Sequence, residues 1–105
     1  MATYNAANAK HQTLVAATQD TVNLTVYGRY LQIIHRGSVT NPIYVTVGKT
    51  AATATVAGDN TFVVTSSVPL VVPWPVDSAG ATVQVNLISA GAEAYSVQVL
   101  GDRLT

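Results

Sequence analysis

The sequence contains no cysteine. That excludes a disulfide framework and any thiolate metal site. A small domain exported as an isolated unit is more often stapled by disulfides, so packing and hydrogen bonds must hold this chain together. Charge is scarce as well. Charged residues make up 10% of the 105 residues, five basic and five acidic, with a net charge of zero. An ordinary soluble domain carries roughly 25%. No block of Lys or Arg exists to neutralise phosphates, which argues against direct nucleic-acid binding. Long apolar runs are missing too. The longest, near residues 68–76, is interrupted by Pro69, Pro73 and Pro75. A transmembrane helix is thereby excluded, and no membrane partner is expected. The first twelve residues, MATYNAANAKHQ, hold no apolar run of signal-peptide length. The expectation is a chain made and kept in the cytoplasm, or released without a signal. Helical periodicity of useful length is also lacking.

What the sequence does have is alternation. Residues 41–64, NPIYVTVGKTAATATVAGDNTFVV, read as strand, turn, strand, turn, strand. Ile43, Val45 and Val47 alternate with Tyr44 and Thr46, and Ala52, Ala54 and Val56 alternate with Thr53 and Thr55. Period-two alternation puts one set of side chains on each face of a sheet. Gly48-Lys49 and Ala57-Gly58-Asp59-Asn60 break the run with residues that tolerate tight turns. Elsewhere the same pattern predicts strands at 12–17, 22–26, 31–35, 70–72, 81–87 and 95–99. Turns are expected at Thr18-Gln19-Asp20-Thr21, Asp77-Ser78-Ala79-Gly80 and Ser89-Ala90-Gly91-Ala92, and a polar tail at 101–105. Pro69, Pro73 and Pro75 cannot donate to a ladder, so the strand at 70–72 belongs at an edge.

About eight short strands at spacings of roughly ten residues, rich in Val and Thr, predict an all-β fold. The expected architecture is a single small antiparallel β-sandwich or barrel, jelly-roll or immunoglobulin-like, over residues 12–105. A true immunoglobulin domain is disfavoured by the absence of the Cys–Trp–Cys signature. Residues 1–11, rich in Ala and Asn, are expected as an N-terminal arm. Such an arm is either a mobile terminus or a contact lying along a neighbouring subunit.

The search for chemistry returns little. His35 shares a predicted strand face with Leu31 and Ile33 and reads as a packed, hydrogen-bonded histidine. Four acids, Asp20, Asp59, Asp77 and Asp102, and Glu93 lie mostly in predicted turns, where Asp is expected for backbone hydrogen bonding. No two have the spacing of a carboxylate dyad or a calcium loop. No Ser sits in a nucleophile elbow. The pattern Asn23-Leu24-Thr25 matches a glycosylation acceptor, but it falls inside a strand. Catalytic, metal-binding and cofactor-binding residues are therefore expected to be none, and the protein is not expected to be an enzyme. Trp74, set between Pro73 and Pro75, invites two readings. It caps one end of the β core, or it anchors a partner or stacks on a sugar. Candidate protein-contact residues are Tyr4, His11, Leu14, Pro73, Trp74 and Pro75. Sparse charge costs little desolvation when a surface is covered. It suits a chain that lives in an assembly, and equally a stable secreted β domain.

The order HQTLVAATQDTVNLT, NPIYVTVG, ATVAGDNTFVV, VQVNLISAGAEAYSVQ, spanning residues 11–98, resembles the small β-rich virion proteins of tailed bacteriophages. Among these it is most similar to siphophage head decoration (cement) proteins. The resemblance implies a structural protein on the capsid exterior, made in the host cytoplasm, whose partner is the major capsid protein of the shell. It implies a homo-oligomer, with a trimer favoured, because one patch is used repeatedly around a local three-fold axis. A tail or head–tail connector component carries the same pattern. A carbohydrate- or host-surface-binding sandwich, resting on Trp74 and the loops, is the alternative from a different class.

Overall fold

The computed structural model describes residues 2–59, 61–75 and 82–102. Its strands are β1 (Ala2–Ala6), β2 (Ala9–Thr13), β3 (Asp20–Leu24), β4 (Gly28–His35), β5 (Ile43–Gly48), β6 (Phe62–Val64), β7 (Leu70–Pro73), β8 (Val83–Ser89) and β9 (Ala94–Asp102). They form two sheets, ordered β1-β3-β8-β5-β6 and β2-β9-β4-β7. Two faces of period-two strands close over one core, so the architecture is a β-sandwich and not a closed barrel. No described helix is long and apolar enough to cross a membrane.

The alternation read from the sequence is what fills the interior. Val22 and Leu24 from β3, Val83, Val85 and Leu87 from β8, and Ile43 and Val45 from β5 point inward from the first sheet. Leu31 and Ile33 from β4, with Tyr95 and Val97 from β9, meet them from the second. His35 is buried on the Leu31–Ile33 face, as the sequence predicts. The strand at 70–72 is an edge strand, also as predicted. The Trp74 N–H donates to the Arg29 carbonyl at 2.8 Å, which makes 74–29 a hydrogen-bonded pair. The neighbouring Pro73–Tyr30 pair is then a non-hydrogen-bonded one, so the nitrogen of Pro73 faces away from β4. Proline costs the ladder nothing there.

Three expectations are corrected. The stretch expected as an arm is paired into the fold. β1 runs parallel to β3, with Ala2 opposite Asp20 and Ala6 opposite Leu24, so the sandwich is not wholly antiparallel. β2 lies antiparallel to β9. Its low apolar content hid it, because an edge strand with backbone pairing on one side needs few core contacts. The strand expected at 12–17 accordingly starts earlier and ends at Thr13. Finally, residues 52–56 form no strand. Residues 49–59 instead cross the outer face of the first sheet. The Asn86 amide donates to the carbonyls of Ala51 (3.2 Å) and Ala52 (2.9 Å), and the Thr46 hydroxyl donates to Ala52 as well. Gln84 accepts from the Ala51 N–H at 3.0 Å and Gln19 from the Ala54 N–H at 2.8 Å. Polar side chains on the sheet face thus supply what a ladder would have supplied. The expected turn at Asp77–Gly80, Asn60 of the preceding turn and the last three residues of the tail lie outside the described residues. Gly101 and Asp102 of that tail close β9.

Candidate functional site

On one side of the sandwich the edge strands β6 and β7 bound an apolar groove of about 410 Å³. Its walls are Val47, Phe62, Val72, Pro73, Trp74 and Pro75. The geometry follows from period two. Leu70, Val72 and Trp74 take alternate positions on the inward side of the chain, and the hydrogen bond to Arg29 carries that register one residue past β7. Trp74 is only 6% exposed and belongs to the core. Its ring meets Tyr27 edge to face, with centroids 5.4 Å apart and planes at 68°. Such an arrangement aligns the positive ring edge with the negative ring face. Trp74 therefore floors the groove and does not protrude from it. Of its walls, Phe62 and Pro73 are exposed, whereas the exposed Val63 and Val71, opposite Tyr44 and Gln32, face the outer surfaces of the two sheets. None of the groove walls is charged.

At the opposite pair of edges lie the N-terminal strands. Tyr4 is half-buried against the core, with the Lys10 ammonium 4.8 Å from its ring centroid. His11 is exposed, and its Nδ1 is hydrogen-bonded to the Ser96 hydroxyl at 2.7 Å. That hydroxyl itself accepts from Arg36 Nε at 2.7 Å, so it bridges His11 and Arg36. Ser96 is 2% exposed. The pair fixes β2 on β9 and does not present a nucleophile.

One end of the sandwich carries a polar junction. The Glu93 carboxylate accepts from the Ser38 N–H (2.8 Å), the Ser38 hydroxyl (3.3 and 3.4 Å) and the Asn41 amide (3.3 Å). The Ser38 backbone donor, more than any other neighbour, holds the Glu93 carboxyl below its ordinary range. His35 Nδ1 accepts from the Gly37 N–H (3.0 Å), so Nε2 carries the proton and donates to the Asn41 carbonyl (2.7 Å). A Cβ on Gly37 would lie 2.1 Å from a Glu93 oxygen, so any side chain there would displace the carboxylate from this junction. The junction ties the loop at 36–42 to the loop at 90–93. Among the described residues there is no group of three His, Cys, Asp or Glu that could hold a metal ion.

Of the six candidate contact residues, the structure brings Pro73, Trp74 and Pro75 together in the groove. Tyr4 and His11 lie on the far edges. Leu14 is 1% exposed, inside the core, and is no contact residue in this fold. Val47, Phe62 and Val72 were missed as groove residues. The one available signal was Phe62, the sole Phe, placed directly after a turn. The Glu93 junction joins residues more than 50 apart, and no local pattern announces it. No protein-family model, curated protein or solved structure matches the chain.

Proposed function

We propose that this protein is a structural, non-enzymatic virion subunit, a capsid decoration protein that binds the exterior of a phage head and stabilises the assembled shell. The observation that supports it is the uncharged apolar groove between two exposed edge strands. A surface of this kind, with Phe62 and Pro73 exposed on its walls, loses little desolvation energy when another protein covers it. Open strand edges also offer backbone groups to an added strand. Binding energy available only from the assembled lattice stabilises that lattice by linkage. The partner is then the major capsid protein, the protein is carried on the capsid exterior after synthesis in the host cytoplasm, and its copies form a homo-oligomer. No cofactor takes part.

The test is to mix purified protein with undecorated, expanded heads and follow sedimentation. Saturable binding at a fixed stoichiometry is expected, weakened about tenfold or more by Phe62→Asp with Pro73→Asp, two exposed residues of the groove walls. Absence from shells, with incorporation into tails, would point to a tail or connector component and sink the reading. A sugar-binding reading asks for an exposed aromatic platform, and Trp74 is only 6% exposed.

A further inference from the structure

We infer that residues 2–13 are an exchangeable segment, able to leave their own sandwich and occupy the same two edges on a second copy of this chain. The inference concerns copies of the chain with one another and stands apart from the capsid reading.

Four observations carry it. β1 and β2 are the outermost strands of the two sheets on the same side of the molecule, each paired with one neighbour only. None of residues 2–13 is buried, whereas four of the five residues of β3 are. Apart from Leu14, which leaves with them, the segment covers the core only with the half-buried Tyr4 and Ala6. The pairing that holds them is mostly backbone, with Asn23 donating to Asn5 at 3.0 Å and a hydrogen bond between Ser96 and His11. All of this is reproduced unchanged when the segment comes from a second copy. The connection to β3 is also strained. Ala17 sits at φ 55°, a left-handed backbone that a Cβ disfavours. It lies in a turn closed by the Thr18 N–H on the Val15 carbonyl at 3.1 Å, with Val15 65% exposed. Leu14, buried just before that turn, travels with the segment and fills the equivalent pocket of the recipient. The hinge is thus residues 15–18.

Closed and exchanged forms share every strand pairing, so the balance rests on the hinge and on concentration. Within one chain the segment is tethered and its effective concentration is high. Opening the turn releases the strain at Ala17. Exchange should therefore grow with protein concentration during refolding and respond to the hinge residue.

The chain has no cysteine, which makes the test direct. Asn5→Cys with Asn23→Cys places two thiols at partnered positions of β1 and β3. The protein is refolded at increasing concentrations, oxidised and run on a non-reducing gel. A covalent dimer whose fraction rises with concentration is expected. Ala17→Gly, which accepts the left-handed backbone, should lower that fraction by about fivefold per hinge. Ala17→Pro, which cannot adopt it, should raise the fraction. If Ala17→Pro does not fold, the glycine variant still decides. Only monomeric, intrachain crosslinks at every concentration would overturn the inference. So would dimers by light scattering that carry only intrachain crosslinks, since these are side-by-side pairs.

Discussion

At the scale of single residues, Asp20 is an acid buried between the two sheets. Asp20 accepts from the Tyr95 hydroxyl at 3.0 Å, joining the two sheets. Burial pushes the Asp20 carboxyl above its ordinary value, against the lowering effect of that hydrogen bond, and burial beside Asp20 pushes the Tyr95 phenol up. A raised folded pKa means the native state holds the proton more tightly than the unfolded chain. Its stabilising contribution is complete below about pH 4, the unfolded value, and is lost as pH rises through the folded value. Asp20→Asn keeps an acceptor for Tyr95 and removes the charge. Its melting temperature should exceed the parent's at pH 7, with the difference shrinking toward pH 4. A constant difference across that range would refute the account. Tyr95→Phe leaves a buried carboxylate without its donor and should cost about 1–3 kcal/mol at pH 7 in urea unfolding. Glu93 runs the other way. Its folded pKa is lowered, so its contribution is present above the unfolded value and disappears as pH falls through the folded one. Glu93→Gln should speed exchange of the Ser38 amide proton at neutral pH and leave exchange there less sensitive to acid. A Ser38 amide that exchanges at the parental rate would show that the carboxylate does not hold the loop.

Among the elements, segment 49–59 shows both what can be read from sequence and what cannot. Ala52, Ala54 and Val56 alternate with threonines as a strand would, yet of the three only Ala54 is buried, and Ala52 and Val56 are exposed. Alternation alone says neither that a whole face is covered nor that the backbone partner is another strand. Here the partners are Asn86, Gln84, Gln19 and Thr46, which no local pattern marks as ladder substitutes. Asn86 is anchored in turn, since the Thr21 hydroxyl donates to its carbonyl oxygen at 2.6 Å. Asn86→Ala should therefore cost about 1–3 kcal/mol and raise amide exchange across 49–59 while β5 and β8 stay protected. Unchanged exchange in that segment would mean it is held by something other than this side chain. The strands at 31–35, 43–47 and 62–64 were legible because each has an uninterrupted apolar face set by β4, β5 and β6. β1 and β2 were not, because an edge strand of Ala, Asn and Lys stands on backbone pairing, which sequence does not display. The groove was half legible. Proline flanks pointed to Trp74, but Val47 and Phe62 come from the other sheet and meet it only through topology.

For the molecule as a whole, the last strand is the keystone. β9 is paired on both sides, with β2 through Ala9–Gln98 to Thr13–Ala94 and with β4 from Gly28–Asp102 to His35–Tyr95. The second sheet thus joins residues near both ends of the chain and cannot close until β9 is available. Pairings of this separation must meet loop-closure entropy before any contact rewards it. Refolding should accordingly take milliseconds to seconds, the range of two-state β-sandwiches. Trp74 is the only tryptophan, and its burial beside Tyr27 makes its emission a direct report on sandwich closure. The two termini should then behave unequally. Removing residues 2–6 strips one outer strand without a buried side chain, so a cooperative melt with blue-shifted Trp74 emission should survive at a lower melting temperature. Removing residues 94–102 deletes Tyr95 and Val97 from the core and leaves β4 and β2 without their shared neighbour, so Trp74 should emit as in an unfolded chain. A cooperative melt in that second truncation would show that the first sheet folds without the second, and the keystone role of β9 would have to be abandoned.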